Sequence, residues 1–567
     1  MSAQPVQALG PSGQVRPLLE GRTQMRGQGA MENNVAAARL ICSIVRTSLG
    51  PHGMDKMLVS DQDVATITND GATMLKDMAI QHPAGRILVE VSKATDTGVG
   101  DGTTSVVVLA GALLEGAEEL LVRGVHPIVV VSGYRAAAAK ALEILDSLGE
   151  RVEPRDRDAL VKVATTSMQS KIIAANAAKV ASIVVDAALG VAIKQDDGTY
   201  RVDQKTIKVE KKEGGSMADT ELIRGIILDQ KVAGPAMPRR VEKARIALLN
   251  LPFEVNQEAR NVMMTISKAS ELQDFLGEEV EMYRRMVDKV VAAGANVVIC
   301  QKKIDEMGQH FLAQAGILAV EKSYEYEAPN IARATGARMV PHLNDLTEQD
   351  LGYADIVEER KVGPDKMLFV IGAKNPRSIT ILTRGANKKV AEEAERSIHD
   401  AVMVVKDMIH EPTLVVGGGA TEAEVAVQLA RWATGVEGRE QLAAEKFAQA
   451  MEEVPRTLAE NAGLDPINLM AELRARHLAG GEGKWYGIPA TGKTIKNLRS
   501  ESVLEPLAVK RQVIVSATEA VCMLLRIDNV IAIPPARKPH AYEKEIADAK
   551  AQGHKPFLSP SRLASQV

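Results

Sequence analysis

What most constrains the fold is a change of texture along the chain. Helical periodicity gives way to strand and helix alternation and then returns. From about 31 to 190 apolar residues recur at helical spacing in MENNVAAARLICSIVRTSL, which ends at a Gly-Pro, in PIVVVSGYRAAAAKALEILDSL, which ends at Gly149, and in NAAKVASIVVDAAL, which ends at Gly190. A short β-like segment, VATITNDG, interrupts them, with Asn-Asp-Gly as its turn. From about 205 to 382 short apolar runs such as RIALLN, NVVIC and ILAVE alternate with helical patterns such as KKIDEMGQHFLAQA, the mark of an α/β domain with some parallel pairing. From 386 onward helices dominate again, in ANKKVAEEAERSIHDAVMVVKDMI and over 505–528. The layout suits an α/β domain inserted into a helical one, although periodicity alone cannot show that the two flanks meet.

At 567 residues the chain has room for about four domains, or three large ones, each burying its own core. No apolar run approaches the roughly 18 residues of a membrane helix, which reads against a membrane protein. Lys plus Arg is 69, Asp plus Glu is 73 and 3% of residues are aromatic, so dedicated nucleic-acid binding has little support. Cys42, Cys300 and Cys522 stand far apart, with no C-x-x-C, and read as buried apolar side chains in a reducing compartment. The N-terminus lacks an apolar segment, and a cytoplasmic location is expected. The first thirty residues and the last thirty or so have the composition of poorly ordered arms.

Three segments could bind phosphate. Residues 98–105, GVGDGTTS, precede the apolar run VVVLAGALL, so glycine N–H groups, a helix N-terminus and Thr and Ser hydroxyls could cradle an anion. Asp101 would repel phosphate unless a metal such as Mg²⁺ stood between them. A Gly-rich turn with a Thr N-cap explains the same segment. A second cradle, LVVGGGATEAEVAVQL, runs from strand-like 414–416 into Gly417, Gly418 and Gly419; a tight turn before a helix is the plainer explanation. The third, GIPATGKT at 487–494, satisfies the G-x-x-x-x-G-K-[ST] pattern of a P-loop NTPase or kinase. Its lead-in GGEGKWY and its sequel IKNLRSESVLEP offer neither the strand nor the helix a phosphate loop needs, so a surface hairpin is expected. Asp400 falls about 140° from the apolar stripe of its helix, which predicts a solvated acid, and Asp70 reads as turn chemistry.

TSLGPHGMDKML at 47–58, TNDGAT at 68–73, GDGTTS at 100–105, TSMQSK at 166–171, SIHDAV at 397–402, VVGGGATEAE at 415–424 and PRTLAENAGLDP at 455–466 together resemble the group II chaperonins, in order along the chain. The resemblance implies a multidomain α and α/β fold: a mostly helical equatorial ATP-binding domain (1–157 and 412–567), a small intermediate domain (158–225 and 378–411), and an α/β apical substrate-binding domain (226–377) with a helical lid protrusion at about 253–282. It implies ATP hydrolysis with Mg²⁺, a double ring of subunits, with a homo-oligomer favoured over a specialised subunit of a hetero-oligomeric ring, and non-native proteins as clients.

Carried over residue by residue, Leu49, Gly50 and Pro51 would line the phosphate site and Asp101 would bind Mg²⁺. Gly102, Thr103, Thr104 and Ser105 would hold the phosphates, and Asp70 and Asp400 would orient and activate water. Lys171 would sense the γ-phosphate, Gly417 and Gly418 would lie against the nucleoside, and Glu505 would lie near the ribose. The terminal KPFLSPSRLASQV departs from the Gly-Gly-Met repeats common in relatives.

Overall fold

The computed structural model describes residues 28–59, 65–254, 269–323, 326–373 and 378–531, with short strands at 7–9, 15–17 and 24–26. Most of the N-terminal arm, all of 532–567, and 255–268 of the expected lid lie outside these residues. The chain forms two compact units, one of residues Met1–Asn33 and Ile527–Val567 and the other of Asn34–Arg526. In the first, Gln24–Arg26 pairs antiparallel with Asn529–Ile531, and Gln7–Leu9 with Val15–Pro17.

The first helices are α1 (Gln28–Arg46), which belongs to the larger unit from Asn34 on, and, wholly within that unit, α2 (Gly71–Asp77), α3 (Pro83–Val99), α4 (Thr103–Val122) and α5 (Pro127–Leu148). Their punctuation is in the sequence. His82 and His126 each cap a helix by accepting a backbone N–H through Nδ1, with Pro at the first helical position, where its missing N–H leaves no bond unmade. α4 is apolar on nearly every side and buries residues from Thr103 to Leu120, which makes it a central helix.

α6 (Arg157–Met168) and α7 (Ala177–Val191) follow. By length and composition 174–191 could cross a membrane, a segment that the apolar-run count missed. It carries Lys179 and Asp186 on its exposed side and buries Val180, Val184, Val185 and Ala188. Those residues join a core with Leu160 and Val163 of α6 and with Ile398, Ala401 and Val405 of a helix more than 200 positions later. A three-stranded sheet lies against this core, with Ile379–Gly385 between Ile207–Glu213 (parallel) and Glu221–Ile223 (antiparallel).

The central segment builds a seven-stranded mixed sheet. Arg240–Leu249 pairs in parallel with Val297–Cys300, which pairs in parallel with Leu318–Val320, while Gly352–Val362 and Asp365–Ala373 add an antiparallel edge. α8 (Ala269–Ala292), α9 (Glu306–Gln314) and α10 (Ala328–Thr335) accompany it. Its parallel strands Val297–Cys300 and Leu318–Val320 are buried throughout, as expected where helices cover a sheet.

The chain then returns through α11 (Lys388–His410) to α12 (Ala420–Ala433), α13 (Glu440–Met451), α14 (Glu453–Asn461), α15 (Pro466–Ala479) and α16 (Leu507–Leu524). Tyr134 of α5 meets Phe447 of α13 edge to face, and Thr413–Val416 is sandwiched between Glu150–Arg151 and Leu504–Pro506. The two helical flanks thus share one core. All three cysteines are buried and free.

Candidate functional site

The Gly-rich segment before α4 is a tight loop. Gly100 and Gly102 have φ of 72° and 80°, and a Cβ on Gly100 would lie 2.3 Å from the Met403 side chain, so both conformation and space call for glycine. Gly102 is the N-cap of α4 and has no side chain to satisfy the first N–H groups. Asp101 accepts the Gly102 N–H at 2.6 Å and faces the same cleft as Gly102 and Ser105. Thr103 and Thr104 are buried beneath.

The cleft gathers stretches remote in sequence. Leu49, Gly50 and Pro51 form one wall, Gly418, Gly419 and Glu505 another, and Thr166, Ser167, Gln169 and Ser170 a third. Gly418 and Gly419 have positive φ, and a Cβ on Gly417 would stand 2.3 Å from Glu505 Oε1. Ser167 is 8% exposed, and its Oγ has no hydrogen-bond partner, an unmet donor at the edge of an open cleft.

Asp400 is not the solvated acid that its helical angle predicts. It is 6% exposed, because α11 is covered on both sides, and it forms an ion pair with Lys171 whose two side chains are each 8% exposed. Asp70 caps α2 by accepting the Thr73 N–H at 2.8 Å, so the turn reading holds, and it also accepts from the Thr103 hydroxyl at 2.8 Å. Asp70 and Asp400 do not line this cleft: they line a second cavity with Asp96 and His399, and the Thr103 hydroxyl, at the start of α4 behind Asp101, links the two.

Electrostatics separates the two aspartates. For Asp70 burial pushes the pKa up, but Lys171 and the Thr73 and Thr103 hydrogen bonds outweigh it and hold the carboxyl below its usual range. For Asp400 burial prevails over Lys171, and the neighbouring Asp70 charge adds to it, raising its pKa well above the usual range. For Lys171 burial works against the charge, but Asp400, Asp101 and Asp70 overcome it and keep the ammonium protonated. Even with Asp400 neutral, one cation faces the carboxylates of Asp70 and Asp101, a negative surplus that a phosphate could not enter without further positive charge.

Residues 487–494 form the expected hairpin. Tyr486–Gly487 pairs antiparallel with Lys496–Asn497, Lys493 is exposed, and the next helix starts only at Leu507. Sequence reasoning did not find that the near half of this hairpin borders the cleft. Ile488, Pro489 and Ala490 line it, Ile488 N–H donates to the Gly418 carbonyl at 2.9 Å, and the His52 ring meets the Ala490 carbonyl at 2.5 Å. Also missed were Glu422 and Lys510, buried charges beside Glu505, neither with a local motif to signal it.

With this geometry in place, comparison with known proteins is decisive: residues 41–534 match the TCP-1/cpn60 chaperonin family. The chain belongs to that family. A thermosome subunit of Methanopyrus kandleri is 49% identical over 519 residues, 92% of this chain and 95% of the relative. Thermosome alpha subunits of Sulfolobus acidocaldarius and Archaeoglobus fulgidus are 46% and 47% identical, over 92% and 93% of this chain and 95% and 96% of theirs. The multidomain α and α/β architecture of the chaperonin agrees with the resemblance read from its motifs.

Proposed function

We propose that this chaperonin subunit hydrolyses ATP in the cleft, within a double ring that encloses non-native proteins in the cytoplasm. The observation that carries the reading is that Gly50, Asp101, Ser167, Gly418 and Glu505 line one cleft from separate stretches of chain, with Asp70 linked to it through the Thr103 hydroxyl and Lys171 paired with Asp400. The equatorial domain would comprise 1–157 and 412–567, the intermediate domain 158–225 and 378–411, and the apical domain 226–377. Shared cores of the paired flanks support these divisions.

The cleft fits a nucleotide. Its glycines leave room that a Cβ would fill, the α4 N-terminus offers free N–H groups, and Ser167 supplies an unpaired hydroxyl. Among the described residues no cluster of three or more His, Cys, Asp or Glu side chains could hold a metal by itself. Asp101 would therefore hold Mg²⁺ jointly with phosphate oxygens, which suits a cation that keeps few protein ligands. When bound, Mg²⁺ supplies the positive charge that the carboxylate surplus lacks.

Leu49, Gly50 and Pro51 border the phosphates, Gly102, Thr103, Thr104 and Ser105 cradle them, and Gly417 and Gly418 face the nucleoside. Asp70 and Asp400 together orient and activate the attacking water. Lys171 turns from Asp400 towards the γ-phosphate. The test is phosphate release by the purified chain with and without an unfolded protein, paired with negative-stain images. Closed rings with ATP-dependent turnover are expected; monomers without turnover would refute the reading.

A further inference from the structure

The side of the cleft that carries Glu505 holds a second buried ion cluster. Lys510, 8% exposed on the first turn of α16, donates to Glu505 Oε2 at 2.5 Å and to Glu422 Oε1 at 2.7 Å. Glu422 sits in the first turn of α12 and is 5% exposed, and its second oxygen has no partner. Glu505 lies on the strand that pairs with Thr413–Val416, with Val415 opposite it. Glu505 and Lys510 both line the cleft.

A lone carboxylate at this position would have several rotamers. Here its room is cut from two sides: Gly417 leaves just the space that Oε1 occupies, and Lys510 holds Oε2. Glu422 fixes the lysine in turn, so the chain of contacts runs from a helix start through an ammonium to a carboxylate in the cleft. Two acids around one lysine leave a net negative charge, suited to accepting hydroxyl protons and unsuited to phosphate.

We propose that Lys510, gripped between Glu422 and Glu505, is a positioning residue that aims the Glu505 carboxylate at the ribose hydroxyls of the nucleotide and so sets a preference for ribonucleotides over 2′-deoxyribonucleotides. The inference rests on the reading of the cleft as a nucleotide site. A hydroxyl matched to a charged acceptor discriminates by roughly tenfold or more against the analogue that lacks it. Removing Lys510 removes the aim without touching the phosphate end, so the loss falls on KM rather than on kcat.

The experiment measures equilibrium binding and turnover of ATP and 2′-deoxy-ATP by the full chain and its Glu505→Gln, Lys510→Met, Lys510→Arg and Glu422→Gln variants. The wild type is expected to favour ATP by about tenfold. Glu505→Gln and Lys510→Met should both bring that ratio near one, with KM for ATP rising more than kcat falls, and Lys510→Arg should restore part of it. Discrimination lost in Glu505→Gln but kept in Lys510→Met overturns the positioning role while leaving Glu505 at the ribose. Discrimination unchanged in Glu505→Gln overturns the ribose assignment itself, and failure of every protein to bind either nucleotide overturns the nucleotide reading. If Lys510→Met does not assemble, Glu422→Gln decides: by loosening the hold on Lys510 it should lower the preference part of the way towards one, and an unchanged preference overturns the proposal.

Discussion

Asp70 and Asp400 show how little a residue's local sequence reveals about its work. Each is unremarkable within its own element; Lys171 between them gives them a common environment. If both act on one water, Asp70→Ala and Asp400→Ala should each slow turnover by orders of magnitude, and the double variant should be little worse than the poorer single one, because residues acting as a unit are non-additive. Asp101→Ala should instead weaken Mg²⁺-dependent nucleotide binding. Rapid-quench hydrolysis and equilibrium binding on these four variants separate the roles, and multiplicative rate losses would refute them. Lys493 gives the opposite case, a motif residue without the matching fold. Being exposed at the hairpin tip, Lys493→Ala should leave turnover within about twofold in a steady-state assay, the effect of an ordinary surface change.

Elements were legible where their punctuation was local and illegible where burial was decided elsewhere. Pro127 and Gly149 bracket α5 as the sequence suggests, because capping depends on near neighbours. The helical angle places Asp400 off the main apolar stripe but not in solvent, because a stripe locates one core and α11 has neighbours on both sides. The same helix carries a cost near its end. Asp407 lies in its last turn, where the helix dipole disfavours negative charge; one oxygen is buried without a partner, and Lys406 at 3.2 Å compensates only in part. Burial is the main cause that pushes its pKa up to about 6. A raised carboxyl pKa means that the ionised form weakens the native state, so the penalty is full above pH 6 and fades as pH falls towards 4. Asp407→Asn should raise the thermal midpoint at pH 8, by a gain of up to about 3 kcal/mol, and the advantage should shrink steadily on acidification from pH 6 to pH 4. An equal gain at both ends of that range would point to packing instead of charge.

For the whole molecule, the sequence displayed three textures but not their nesting, since the decisive contacts span hundreds of positions. Lys171 and Asp400 are 229 apart, and Arg46 donates to Thr457 across 411. Ordered family motifs supplied what periodicity could not. The central sheet is tied to the strands beneath it by a further buried cluster: Lys208 bridges Glu210 and Glu327 at 2.9 Å each and donates to the Ile227 carbonyl at 2.9 Å. The Glu327 side chain is 3% exposed, so Lys208→Met leaves a carboxylate stranded. Loss of one partner from such a pair costs about 3–5 kcal/mol, and calorimetry should show a clearly lowered transition that Lys208→Met/Glu327→Gln largely recovers. A double variant as unstable as the single one would mean that the lysine stem, not its charge, holds the junction.

α11 also gives the molecule gearing. Its His410 end is moored, because Glu411 takes Arg511 at 2.9 Å and the chain passes straight into the strand Thr413–Val416. Its other end begins just after the strand Ile379–Gly385, on the path to the central sheet. At 1.5 Å per residue, Asp400 lies about 15 Å from the mooring and Lys388 about 33 Å from it. Swung as a rigid rod, the helix turns a displacement of about 1 Å at Asp400 into about 2 Å at Lys388. A change no larger than a bond length at Asp400 is thus doubled at the far end by the length of one helix.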